Sequence, residues 1–264
     1  MERTEIMNII YSSQSEDTRL TRSRHGQLEY LTTMNYLHKL VPSGSRILEV
    51  GAGTGRYSVA LAREGYDVTA VELVANNLDI LRQNAIGLEN ITSYQGDAEN
   101  LSLFADNSFD AVLVLGPMYH LFERAEQHKA LDEAIRVSKP GGIIMVAFLS
   151  IYSIMYNNYL SGNFRAGLEE NFDVGFRVKH FTEQGFTGFD IEEFEELFSE
   201  KPIQKTALVG TDSVLELAED VPGFYVSDED FRLFSEFHLK NCEKRELLGS
   251  QSHLLYICRK NRSL

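Results

Sequence analysis

The segment Arg46–Ser58, RILEVGAGTGRYS, constrains this 264-residue chain more than any other stretch. Ile47, Leu48 and Val50 make a short apolar run of the kind a buried strand shows. Glycines at 51, 53 and 55 follow, and helical spacing resumes from Tyr57 to Arg63. The implied order is strand, glycine turn, helix. Glycine has no Cβ and reaches backbone angles closed to other residues, so a ligand can come close to the main chain beside a helix N-terminus. The loop reads as a nucleotide-type pocket.

Spacing decides which nucleotide. The dinucleotide fingerprint G-x-G-x-x-G, counted from Gly51, wants its third glycine at position 56, where this chain has Arg56 and instead follows G-x-G-x-G. The next β-rich run, Asp67 to Glu72, ends in an acid nineteen residues past Gly53, and a carboxylate there can accept both hydroxyls of a ribose. On Glu49, Gly51, Gly53 and Gly55, which match E/D-x-G-x-G-x-G, and on Glu72 after the second strand, the sequence resembles the class I S-adenosylmethionine-dependent methyltransferases. The resemblance implies S-adenosyl-L-methionine as cofactor. It places Glu49, Gly51, Ala52, Gly53, Gly55, Glu72 and Leu73 around that molecule.

Taken in order, the chain fits the same scheme. Leu20, Leu28, Leu31, Met34, Leu37 and Leu40 recur at spacings of three and four, predicting an amphipathic helix over Thr18–Leu40 that Pro42, Ser43 and Gly44 end. In the resembled family the N-terminal helices fold over the cofactor mouth. Residues 1–45 are therefore expected to form a lid, with Tyr11, Arg19, Arg24 and His25 as its candidate site residues; a solvated helix face is the alternative. From Arg46 strands and helices alternate with short joins, the mark of a parallel sheet wound on both sides. Leu73–Ala85 is helical, and Ile91–Gln95 is a third strand running into Gly96-Asp97-Ala98-Glu99. The resemblance sets Asp97 on the exocyclic adenine amine with Ala98 beside it, while a capping role suits the same aspartate.

Ala111–Leu115 is an unbroken apolar run, the fourth strand, followed by Gly116-Pro117-Met118-Tyr119-His120. In open α/β sheets ligands collect outside the carboxyl ends of the strands, at the point where the strand order reverses. Leu115 is thus expected against the cofactor, and Tyr119 and His120 near the transferable methyl. A helix over Glu123–Val137, a turn at Lys139–Gly142 and a fifth strand from Ile143 to Phe148 complete a cofactor-binding core spanning 46–149. The strings GAGTGRYS, VELV, LGPMYHLF and RVSKPGG resemble those of a group of bacterial small-molecule methyltransferases.

Beyond Leu149 the pattern loosens. Residues 150–189 are rich in aromatics, among them Tyr152, Tyr156, Tyr159, Phe164, Phe172, Phe176 and Phe181, and the resembled family places a substrate cap here; an aromatic satellite core is the alternative. Asp190–Glu200 is an acidic helix with Ile191, Phe194, Leu197 and Phe198 inward. Ile203–Gly210 is a sixth strand, residues 212–249 form a second helical insertion, and Ser252–Arg259 is a seventh, antiparallel strand in an edge hairpin. The expectation is one α/β domain over 1–264: a doubly wound, mostly parallel, seven-stranded Rossmann-like sheet with helical cap insertions.

A net charge of −14 repels phosphate backbones and anionic lipid, which disfavours nucleic acid and membranes as partners and leaves a small-molecule methyl acceptor, on a monomer or homodimer. Cys242 and Cys258 cannot make a disulfide framework, neither has a zinc-ligand neighbour, and no metal is expected. MERTEIMNII lacks a signal-peptide build and Ile143–Leu149 is far short of a membrane span, so a cytoplasmic location is expected.

Methyl transfer from a sulfonium is an in-line displacement in which positioning supplies much of the barrier reduction. Where the acceptor is a hydroxyl, a phenol or an acidic carbon, His120 is the candidate general base and Tyr119 the residue that orients the acceptor; a structural hydrogen-bonding role is the alternative for His120. Two other readings stand beside this one: a nicotinamide-dependent oxidoreductase, disfavoured by Arg56, and a non-catalytic module that binds S-adenosylmethionine.

Overall fold

The computed structural model describes residues 3–13, 16–181 and 185–262. Its strands are β1 (Arg46–Val50), β2 (Asp67–Glu72), β3 (Ile91–Gln95), β4 (Phe109–Val114), β5 (Ser138–Ser150), β6 (Gly188–Phe189), β7 (Ile203–Gly210) and β8 (His253–Lys260). The helices are α1 (Arg3–Ser13), α2 (Arg24–Leu40), α3 (Arg56–Arg63), α4 (Ala75–Asn84), α5 (Arg124–Val137), α6 (Ile151–Tyr159), α7 (Phe164–Asn171), α8 (Ile191–Glu196), α9 (Leu215–Glu219), α10 (Asp228–Asn241) and α11 (Arg245–Leu248). None of them is long and apolar enough to cross a membrane.

The sheet runs β3-β2-β1-β4-β5-β8-β7, with the short β6 beside the end of β5. Pairing is parallel except at β5–β8 and β7–β8, so β8 alone is reversed. The seven expected strands are present. The two-residue β6 escaped the sequence reading because so short an element carries no period. The order turns back between β1 and β4, which opens the crevice at their carboxyl ends. The interposed reversed strand departs from the wholly parallel doubly wound sheet of dinucleotide enzymes.

Alternate side chains along the central strands feed two cores, which is why those strands read as continuous apolar runs. On one face Leu48, Val112, Val114, Ile144, Val146 and Phe148 pack with Ala134 of α5 and Phe194 of α8. On the other, Ile47, Ala111, Leu113, Ile143 and Met145 pack with Leu37 of α2 and Leu61 of α3. Residues 151–181 build a satellite core of Ile151, Met155 and Phe172, whereas Tyr152, Tyr156, Phe164 and Phe176 are exposed.

Two boundaries differ from expectation. The helix expected from Thr18 begins at Arg24, because Ser23 caps it: its Oγ accepts from the Gly26 amide at 3.2 Å, and a 3-10 turn at Glu16–Thr18 precedes it. Lys139–Gly142 is no free turn. It lies inside β5, where the register jumps from Phe109 opposite Ser138 to Ala111 opposite Ile143, and Gly141 takes φ +80°.

Reversal of β8 also has a positional effect. Its first residue, His253, pairs with Leu149 at the carboxyl end of β5 and so arrives on the edge of the sheet where the crevice opens.

Candidate functional site

The glycine loop follows β1 directly. Amides of Gly51 and Ala52 donate to the Val71 carbonyl at 2.8 and 3.1 Å, pinning the loop across to β2. Gly51 has φ +76°, and a Cβ there would stand 2.6 Å from Cδ of Pro117, in the turn after β4. Gly51 therefore lets two strand ends close on one another. Gly53, at φ +55°, donates its amide to the Glu72 carboxylate at 2.7 Å, and Val74 donates to the other oxygen at 2.8 Å. Two backbone amides thus orient a buried acid at the tip of β2.

Glu49 is 1% exposed and receives the Ser58 hydroxyl. Burial pushes its carboxyl up to about 8, against the Ser58 hydrogen bonds and with help from the Glu72 charge. Asp97 borders the same cleft, and its Oδ1 accepts from the Glu99 amide at 3.0 Å, so a local turn role and a position on the cleft coexist.

The cleft runs from Leu73, Val74, Asp97 and Ala98, past Glu72, Gly53, Ala52, Gly51, Glu49 and Leu115, to Tyr11, Arg19, Tyr119, His120, Leu149, Phe186 and His253. Of the residues singled out in the sequence, Gly55 does not line it. A Cβ at Gly55, which has φ +88°, would fall 2.8 Å from Cγ of Leu81, so this glycine serves the close packing of α3 on α4. Arg24 and His25 are likewise absent from the wall: Arg24 pairs with Asp228 and His25 with Glu219, both on the second insertion. Tyr11 and Arg19 do line it. Of the aromatics between 150 and 189, only Phe186 does, among the described residues.

At the far end His120 is held from both sides. Its Nδ1 donates to the Gly185 carbonyl at 2.7 Å, which fixes the tautomer and leaves Nε2 to accept from the Tyr11 hydroxyl of α1 at 2.8 Å. The Phe186 ring lies 4.8 Å from the imidazole. Tyr119 is buried, meets the His120 and His253 rings edge-on at 6.2 and 6.0 Å, and has a hydroxyl with no hydrogen-bond partner among the described residues. Burial holds its phenol well above the usual range.

Behind this end sits a charge cluster. Arg19 grips Glu29 with its two terminal guanidinium nitrogens, at 2.7 and 3.0 Å. Burial would raise the Glu29 carboxyl, but Arg19 and His253 hold it at about 2. His253 Nδ1 donates to Asp212 at 2.7 Å and lies 3.9 Å from Glu29. Burial would lower the imidazole, yet the two carboxylates raise it to about 9. Ligand atoms of Asp212, Glu216 and His253 lie within 4.8 Å of one another, but three N–H groups already donate to the Asp212 oxygens.

Residues 47–142 match the family model for a methyltransferase domain. That segment is a methyltransferase domain. Among curated relatives, the demethylmenaquinone methyltransferase of Clavibacter sepedonicus is 39% identical over 41% of this chain and 42% of its own length; that of Paenarthrobacter aurescens is 36% identical over 46% and 47%. The matched part of the chain spans less than half the length of these relatives. Among solved structures, an S-adenosylmethionine-dependent methyltransferase of Methanosarcina mazei superposes with a TM-score of 0.56 at 17% identity, over 86% of this chain and 98% of that one. A phosphoethanolamine N-methyltransferase of Haemonchus contortus gives 0.64 at 14% identity, over 99% and 49%. At such identities these two likenesses speak for the fold.

The methyltransferase domain presents a donor set that fits S-adenosylmethionine: a glycine-rich loop, a carboxylate already oriented by two amides, and an apolar slot at Leu73, Val74 and Ala98. His253, Phe186, Glu29 and Asp212 were not found in the sequence. Phe186 stood in a stretch without period. Glu29 reads as one polar position of an amphipathic helix, while His253 arrives on β8, beside β5, and Asp212 just after β7 on the other side of β8, pairings that no local pattern announces.

Proposed function

We propose that this chain transfers a methyl group from S-adenosyl-L-methionine to a small organic acceptor, and that the acceptor is a ring compound. The observation that carries the reading is a single cleft joining the glycine loop and Glu72 at one end to His120, Tyr119 and Phe186 at the other. In this reading Glu49, Gly51, Ala52, Gly53, Glu72, Leu73, Asp97, Ala98 and Leu115 hold the cofactor, whose sulfonium supplies an activated methyl carbon when bound. Gly55 supports them from behind. Glu72 accepts from the ribose and Asp97 from the adenine amine.

The chain's own residues then have three tasks: aligning the acceptor with the methyl carbon, excluding water and taking up a proton. Met7, Tyr11 and Leu20 cover the cleft from the N-terminal side, as a lid would. His120 Nε2 is the proton acceptor, and Tyr11 gives up its hydrogen bond to that nitrogen when the acceptor's hydroxyl arrives. Tyr119, Phe186 and His120 form an aromatic wall suited to a flat acceptor. Two of the relatives above are named as demethylmenaquinone methyltransferases.

The test is calorimetry with S-adenosylhomocysteine, followed by a screen of hydroxylated aromatic compounds with S-adenosylmethionine, reading release of S-adenosylhomocysteine. Binding in the micromolar range and turnover on at least one ring compound are expected. No heat with either form of the cofactor would overturn the reading.

A further inference from the structure

His253 is built to hold something outward. Its side chain is 13% exposed, and the carboxylate that fixes it, on Asp212, is fully buried and also accepts the Ser252 and His253 amides, each at 3.0 Å. With Nδ1 committed at 2.7 Å, the remaining ring nitrogen, Nε2, has no hydrogen-bond partner among the described residues, and His253 is one of the residues lining the cleft. Charged groups facing it are Glu29 from α2, ion-paired to Arg19, and Asp212 after β7, with Glu216 of α9 beyond; together they keep the imidazole protonated, so Nε2 is a donor. Tyr119 stands edge-on beside it.

We propose that His253 is the acceptor-binding residue of this site, that Asp212 positions it, and that the acceptor is a hydroxylated aromatic ring held as its oxyanion by the Nε2–H group. The inference rests on the methyl-transfer reading above and narrows its substrate class. An amine acceptor in its cationic form has no lone pair with which to accept from the Nε2–H group. A carboxylate prefers a two-pronged donor, and the fork that would serve, on Arg19, is engaged by Glu29. One donor against an aromatic wall suits a single ring oxygen.

The test titrates the S-adenosylhomocysteine-loaded protein with 4-nitrophenol, whose anion alone absorbs in the visible, and in parallel with nitrobenzene and 4-nitrobenzoate. Wild type is expected to bind 4-nitrophenolate about tenfold more tightly than either analogue and to shift its ionisation about one pH unit down. His253→Gln and Asp212→Asn should each abolish the shift while S-adenosylhomocysteine affinity stays within about threefold of wild type. Retention of the shift in His253→Gln, or equal or tighter binding of nitrobenzene or 4-nitrobenzoate by wild type, would overturn the proposal. Should both variants fail to fold, the ring-nitrogen NMR signal of His253 in wild type must move on adding 4-nitrophenol and not nitrobenzene; a still signal is equally fatal. Absence of S-adenosylhomocysteine binding in wild type would instead sink the methyl-transfer reading, while the same phenol titration on cofactor-free protein still judges His253.

Discussion

Glu72 shapes the glycine loop through the Gly53 and Val74 amides and, in the proposed function, accepts from the ribose as well. Its replacement by alanine should therefore weaken S-adenosylhomocysteine binding by on the order of 1.5–3 kcal/mol, about 10- to 150-fold by calorimetry. Gly51→Ala meets two obstacles at once, a positive φ and Pro117 at 2.6 Å, and should lower both the melting temperature and cofactor affinity.

Glu49 gives a pH signature. Its folded carboxyl sits near 8 against an ordinary 4.5, so its contribution to stability is complete below about 4.5 and is lost as pH rises through about 8. In cofactor-free protein, the melting temperature of Glu49→Gln relative to wild type should rise between about pH 5 and pH 9; a difference that stays flat would refute the assignment. At this scale the convergence of Glu49, Gly51, Gly53, Glu72 and Asp97 on one cleft was legible, because each lies on or just after a strand that announces itself. The opposite end was legible in part: Tyr119 and His120 follow β4, and Tyr11 and Arg19 stood among the lid candidates, whereas Phe186 and His253 join only through tertiary pairing, and Gly55, read as a ligand residue, faces Leu81.

Elements reveal which signals carried the fold. Strands β1, β4 and β5 are buried on both faces and advertise it as apolar runs, and the amphipathic spacing of α2 placed its C-terminal end correctly at Leu40. Its start was misplaced because Leu20 continues the period into a turn, whereas hydrogen bonding to Ser23 sets the boundary. Ser23→Ala should accordingly cost about 1 kcal/mol in denaturant unfolding, with no change in the slope. Phe194 of α8 is fully buried, stacks on Phe148 at 3.8 Å and meets Phe189 at 5.1 Å. Phe194→Ala should cost about 3–5 kcal/mol, a loss measurable in the same experiment.

For the whole molecule the governing quantity is the charge of −14. Self-repulsion of this size is screened by salt, so the melting temperature should rise between low and moderate ionic strength, and DNA-cellulose should not retain the protein at low salt. A fall in stability over that range would point to ion pairs such as Arg136 with Glu133 and Asp106 as the stronger influence.

The reversed strand leaves a last consequence. Because β8 delivers its leading residue beside β5, while the glycine loop and Glu72 belong to β1 and β2, the donor and acceptor ends of the proposed site are served by different flanks of one sheet. With the site so divided, drift in the loop ahead of residue 253 would remodel the proposed acceptor end and leave the glycine loop untouched, so that descendants of such a chain could change acceptor while keeping a common donor.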